Sequence, residues 1–136
     1  MTTLEPSRGD ATQPAQNAHG IPTNQVVTLC GSTRFKRAFQ EWAARLTLEG
    51  NNVVFSVSVW AHNSDGFEPT GDDKTTLDAI HLRKISCSDC IFVLNVGGYI
   101  GKSTSNEIRY TQSLNKPVYF LNTLFPEWRE SDCKYV

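Results

Sequence analysis

The chain has no surplus of positive charge. Its 13 Lys and Arg stand against 14 Asp and Glu, a formal net charge of −1, so it carries no basic footprint for gripping an extended nucleic-acid backbone. Phosphate recognition, if present, must be local: a loop and one or two cations. Long apolar runs are also missing. None approaches the ~20 residues a membrane span requires, and the N-terminus has no apolar core of the signal-peptide kind. These features lead to an expectation of a cytoplasmic protein without membrane attachment. Cysteine is sparse, at four residues: Cys30, Cys87, Cys90 and Cys133. Cys87 and Cys90 form a CxxC, but no second Cys or His pair stands at zinc-site spacing. Cys90 opens an apolar run, which favours a small buried side chain over a metal or redox role.

Large apolar groups are scarce in residues 1–23, MTTLEPSRGDATQPAQNAHGIPT. Such a segment cannot offset its ordering entropy by burial, and a disordered tail is predicted there, with one domain over 24–136. That length supports a single hydrophobic core but not two.

From Gln25 the character changes. Gln25–Cys30 (QVVTLC) is a short β-branched run that stops at Gly31 and reads as a buried strand. Phe35, Phe39, Trp42 and Leu46 recur at helical spacing and predict a helix over Arg34–Glu49. Val53–Val59 predicts a second strand, Trp60–Asp73 a loop, and Thr75–Ser86 a helix with Leu77, Ile80 and Ile85 on its apolar stripe. Cys90–Leu94 (CIFVL) is continuously apolar, as a strand covered on both faces should be. A glycine-rich loop follows, then a helix over Thr104–Leu114 and a strand over Pro117–Leu121. Alternating strands and helices imply right-handed crossovers and a parallel sheet of four to five strands between helical layers, an α/β three-layer sandwich of flavodoxin-like or Rossmann-like kind. Ligands bind such sheets outside the carboxyl ends of the strands.

The residues with chemistry to offer fall in those loops. Gly31, Ser32, Thr33 and Arg34 lie where the first strand meets the first helix. Gly31 permits a tight turn, Ser32 and Thr33 offer hydroxyls and amides at a helix N-terminus, and Arg34 offers a fork for phosphate. Ser32 or Thr33 can equally cap the helix. Gly97, Gly98 and Gly101 permit close backbone approach to a ligand. They are not a phosphate-binding P-loop, because only three residues separate Gly97 from Gly101-Lys102-Ser103, and the loop follows the third strand. Glu107 admits two readings: a carboxylate able to stabilise or attack a cationic sugar carbon, or the last residue of a Thr104–Glu107 capping box. Asp78 and His81 share a helix face. Asp78 can bond a ribose hydroxyl, protonate a leaving base, or serve only the helix dipole; His81 can assist, or pack against the sheet. Asp89 reads as a turn residue. Trp60, His62 and Phe67 can stack on a base or form a hydrophobic plug.

Taken in order, LCGSTRF (29–35), LDAIHLRKI (77–85), SDCIFVLNVGGYIG (88–101), STSNEIRY (103–110) and KPVYFL (116–121) resemble the nucleoside 2-deoxyribosyltransferase-like superfamily. That group includes deoxyribosyltransferases and hydrolases that cut the N-glycosidic bond of nucleoside 5′-monophosphates. The resemblance spans about Val26 to Leu121. It implies a nucleotide or nucleoside as small-molecule partner, Glu107 as catalytic carboxylate, and Asp78 near the sugar or base. It further implies Gly31, Ser32, Arg34 and Ser103 on the substrate's polar groups, no metal or redox cofactor, and a homodimer or larger homo-oligomer. Three departures stand out: Arg83 and Lys84 where further acids are expected, Arg109 where many relatives carry Gly, and a C-terminal strand and helix that are missing or reduced relative to larger members. A non-catalytic nucleotide sensor is the alternative function.

Overall fold

A computed structural model describes residues 16–60 and 66–136. Four short strands, β1 (Val26–Cys30), β2 (Val53–Phe55), β3 (Cys90–Val93) and β4 (Val118–Phe120), form one sheet in the order β2-β1-β3-β4. All neighbours run parallel, with Val26 beside Val53, Val27 beside Cys90 and Ile91 beside Val118. Three helices make the crossovers: α1 (Lys36–Leu48), α2 (Gly71–Ser86) and α3 (Lys102–Ser113), and a single turn, α4 (Leu121–Leu124), follows β4. The order is that of flavodoxin-like sheets. The chain moves outward from β1 to β2 and then returns past β1 to β3, so strand order reverses between β1 and β3.

The uninterrupted apolarity of β3 is explained by its two faces. Cys90, Phe92 and Leu94 join Val27, Leu29 and the α1 residues Phe39, Trp42 and Leu46 in one core. Trp42 is its centre, stacked on Phe92 at 5.4 Å and edge-on to Trp128 at 5.9 Å between ring centroids. Ile91 and Val93 face the other way, with Cys30, Ile85 and the half-buried Leu82, Ile108, Val118 and Phe120 of α2, α3 and β4. Helices on both faces of a parallel sheet make the three-layer α/β sandwich. Among the described residues, no helix is long and apolar enough to cross a membrane.

Four elements differ from their sequence-based expectation. α1 begins at Lys36, two residues after the expected Arg34, behind the 3-10 turn Thr33–Phe35. β2 stops at Phe55 and not Val59, because the Lys84 ammonium donates to the Ser56 carbonyl at 2.6 Å and the Ser58 hydroxyl at 2.7 Å. Those bonds help hold the chain against α2, away from the sheet. α2 begins at Gly71, four residues early, behind a capping box in which Thr70 and Asp73 satisfy each other's amides. α3 begins at Lys102, two residues before the expected Thr104.

The segment expected to be a disordered tail is partly ordered. Residues 16–23 are packed against the domain, whereas residues 1–15 lie outside the described residues. Asn17 closes a turn by accepting from the amides of His19 and Ile21, and Gln16 bridges to Pro22. The turn delivers Ile21 to the Trp42 core, where it is 2% exposed. Composition averaged over the segment hid one apolar anchor on a short, side-chain-closed turn. Ile21→Ala should cost about 2–5 kcal/mol of stability, as other large-to-small core changes do. Deleting residues 1–23 should lower the melting temperature too. Urea melts of both variants that overlay wild type would refute this placement.

Candidate functional site

The reversal of strand order opens a cleft of about 500 Å³ at the carboxyl edge of the sheet. β1 leads into it through Gly31, whose φ of 155° strains any other residue and whose added Cβ would stand a tight 3.2 Å from the Leu94 carbonyl oxygen. Gly31, Ser32 and Thr33 line the cleft. Ser32 also acts as a cap: its hydroxyl accepts from the Arg34 amide at 3.2 Å at the start of the short 3-10 turn Thr33–Phe35.

α2 forms the opposite wall. Its apolar stripe divides: Ile85 is buried under the sheet, whereas Leu77 and Ile80 face the cleft with Val57 and Val59. Asp78 and His81 line it from the same helix, and Tyr99, Gly101, Lys102, Ser103 and Glu107 line it from the β3–α3 segment. Gly98 and Arg34 do not. Gly98, with a φ of 86°, belongs to the 3-10 turn that carries the chain from β3 to Tyr99. Arg34 lays its guanidinium over the Tyr99 ring, 4.2 Å from the centroid, and so reaches the site through that ring. Trp60 is a plug: it packs edge-on to Phe39 at 5.3 Å. Phe67 is 41% exposed, and His62 lies outside the described residues. Asp89 is the turn residue expected, accepting from the Val26 amide at 2.8 Å.

The helix start decides the capping question for Glu107. With Gly101 as the N-cap, Glu107 falls in the second turn of α3, beyond the reach of a capping box. Its carboxylate instead points to the cleft floor, with Oε1 3.9 Å from His81 Nε2, and the Cys30 thiol lies 3.5 Å from the same nitrogen. Burial is the main force on Glu107 and Asp78 adds repulsion; a hydrogen bond with Cys30 opposes them, and the carboxyl is pushed up to about 7. Burial, helped by the Lys84 charge, pulls His81 down to about 4, against the Leu29 backbone and Asp78. His81 is therefore neutral near pH 7, and its contact with Glu107 is polar rather than ionic. Burial, with Glu107 adding, raises the Cys30 thiol well above its ordinary value.

No family model, curated protein or solved structure matches the chain.

The cleft therefore has to be read from its own chemistry. Its walls are apolar enough to take a flat base, its floor holds one perturbed carboxyl, and its rim carries cations. Sequence reasoning missed three of these: Lys74, Lys84 and Lys102. Lys84 is engaged with Ser56 and Ser58, so among the described residues Lys74 and Lys102 are the lining cations that remain for an anion. Lys102 had a legible signal, because it opens a helix directly after a glycine. At that end Gly101 supplies no side-chain acceptor, which leaves first-turn amides of α3 open toward the cleft beside Lys102 and Ser103.

Proposed function

We propose that the protein cleaves the N-glycosidic bond of a nucleotide or (deoxy)nucleoside, by hydrolysis or by transfer of the sugar to another base. The observation that carries this reading is Glu107: a carboxylate on the floor of a nucleotide-sized cleft, freed from any capping duty and held by burial near neutrality. The motif resemblance supports the same assignment.

The chemistry follows from the positions. As the C1′–N bond breaks, its electron pair leaves with the base and positive charge grows on C1′. Glu107 faces that charge and either stabilises it or bonds to C1′. Asp78, one helical turn from His81 on the same wall, orients the sugar or delivers the proton that the departing base needs. Water arriving at C1′ completes hydrolysis, and a second base completes transfer. Phosphate is held by the α3 amides with Lys102, across from Ser32 and Thr33. The homo-oligomer and cytoplasmic setting implied by the resemblance and composition belong to this proposal.

Glu107 must be ionised to oppose a cation. A carboxyl at about 7 gains that charge as pH rises, so kcat/KM should climb from pH 5 to 8 with an apparent pKa near 7. A flat profile over that range contradicts the assignment. The decisive structural test is a complex with a nucleoside monophosphate. The reading requires C1′ to face the Glu107 carboxylate; a phosphate or a base edge in that position overturns it.

A further inference from the structure

Cys30, His81 and Glu107 come from three different elements, yet their ligand-forming atoms all lie within 4.8 Å of one another. They do not form a nucleophile relay. In such a relay the thiol and the acid address opposite nitrogens of the imidazole. Here both address Nε2, the thiol from 3.5 Å and the carboxylate from 3.9 Å. Three ligand-forming atoms gathered within 4.8 Å, two of them beside one imidazole nitrogen, are spaced as a ligand set.

The spacing agrees with that. Zinc bonds of ~2.3 Å to sulfur and ~2.0–2.2 Å to nitrogen or oxygen put tetrahedral ligands roughly 3.3–3.6 Å apart. Cys30 and His81 already meet this at 3.5 Å; Glu107 Oε1 stands 3.9 Å from the same nitrogen and draws closer when the set closes on an ion. Thiolate, imidazole and carboxylate together suit a thiophilic divalent ion and not magnesium or calcium, which take oxygen ligands. Since His81 and Glu107 line the cleft, an ion can enter from it.

We propose that Cys30, His81 and Glu107 form a site for a divalent cation of the zinc class, which occupies the cleft floor and withdraws Glu107 from reaction. Binding releases the thiol proton, and the Glu107 proton wherever the carboxyl still carries one, to solvent as the metal–ligand bonds form. The site stands on its own geometry; only its inhibitory consequence rests on the glycosidic reading.

The test uses the full chain, reduced and stripped of metal. Titrated with Co²⁺, it should develop a thiolate-to-cobalt charge-transfer band and the intense visible bands of tetrahedral cobalt, with one ion per chain, and Zn²⁺ should displace them. Cys30→Ser should abolish the charge-transfer band, and His81→Gln should weaken binding at least ~100-fold, the upper range for losing even an outer-shell contact. The double variant Cys87→Ser/Cys133→Ser removes the thiols that are not buried and should bind as wild type does. Because Cys30→Ser alters a buried position, X-ray absorption on the zinc-loaded double variant gives an independent answer: one sulfur at ~2.3 Å with nitrogen or oxygen at ~2.0–2.2 Å. Absence of sulfur from that shell, or loss of binding in the double variant, overturns the site. Cobalt bound at Cys30 with no base released from any metal-free sample keeps the site and removes the glycosidic reading. Base release that saturating Zn²⁺ leaves untouched overturns the inhibitory role.

Discussion

Glu107→Gln is expected to slow base release at least ~100-fold, the scale for losing one electrostatic stabiliser, and at the same time to make the protein more stable above pH 7. The two effects share a cause. Burial moves the carboxyl from 4.5 to about 7, so across that interval the folded state keeps a proton that the unfolded chain has released. The associated stability is whole below pH 4.5 and is lost as pH rises through about 7. By pH 8 the ionised, buried Glu107 costs about 3 kcal/mol. Glutamine never ionises and escapes that cost. Thermal melts at pH 5 should therefore nearly coincide for the two proteins, and at pH 8 the variant should melt several degrees higher. A residue serving only as a helix cap would show neither effect, since glutamine caps as well as glutamate.

Lys102→Ala should weaken binding of a nucleoside 5′-monophosphate about tenfold to a hundredfold, the value of one charge-assisted hydrogen bond. The same nucleoside without phosphate should bind almost unchanged. Arg34→Ala should behave differently. Its guanidinium rests on Tyr99, and losing that support should weaken both ligands alike and by less. Calorimetry in the Glu107→Gln background avoids turnover during the titration. Equal losses for both ligands in Lys102→Ala would move the phosphate away from the α3 terminus, to the Gly31–Thr33 turn.

The fold was legible because its signals are local and repeated. The continuous run of β3, the helical spacing of Phe39, Trp42 and Leu46, and the glycine punctuation after β1 each report one packing requirement. Boundaries were less legible. The length of β2 depends on Lys84, a residue far along the chain, and Ile21 finds its place only through the Asn17 turn and the Trp42 core. The same division holds at the site. Gly31, Ser32 and Thr33 were singled out from the turn after the first strand, Asp78 and His81 from their shared helix face, Glu107 from its place after the glycine-rich loop and Ser103 from the motif resemblance, and all seven line the cleft. The convergence of Cys30, His81 and Glu107 could not be read from spacing, because it is made by two crossovers and the reversal of strand order. The start of α3 was misjudged by two residues, and that shift alone removes Glu107 from a capping box and gives it to the cleft.

Release of free base tests the central claim most directly. Wild type and Glu107→Gln, both freed of metal, are incubated with purine and pyrimidine ribo- and deoxyribonucleoside monophosphates, and base is followed over time by chromatography. The account predicts that at least one nucleotide yields its base and sugar phosphate with wild type, and that this release all but disappears in the variant while binding persists. Nucleotides that bind wild type and remain intact, or are cut equally fast by both proteins, would contradict it.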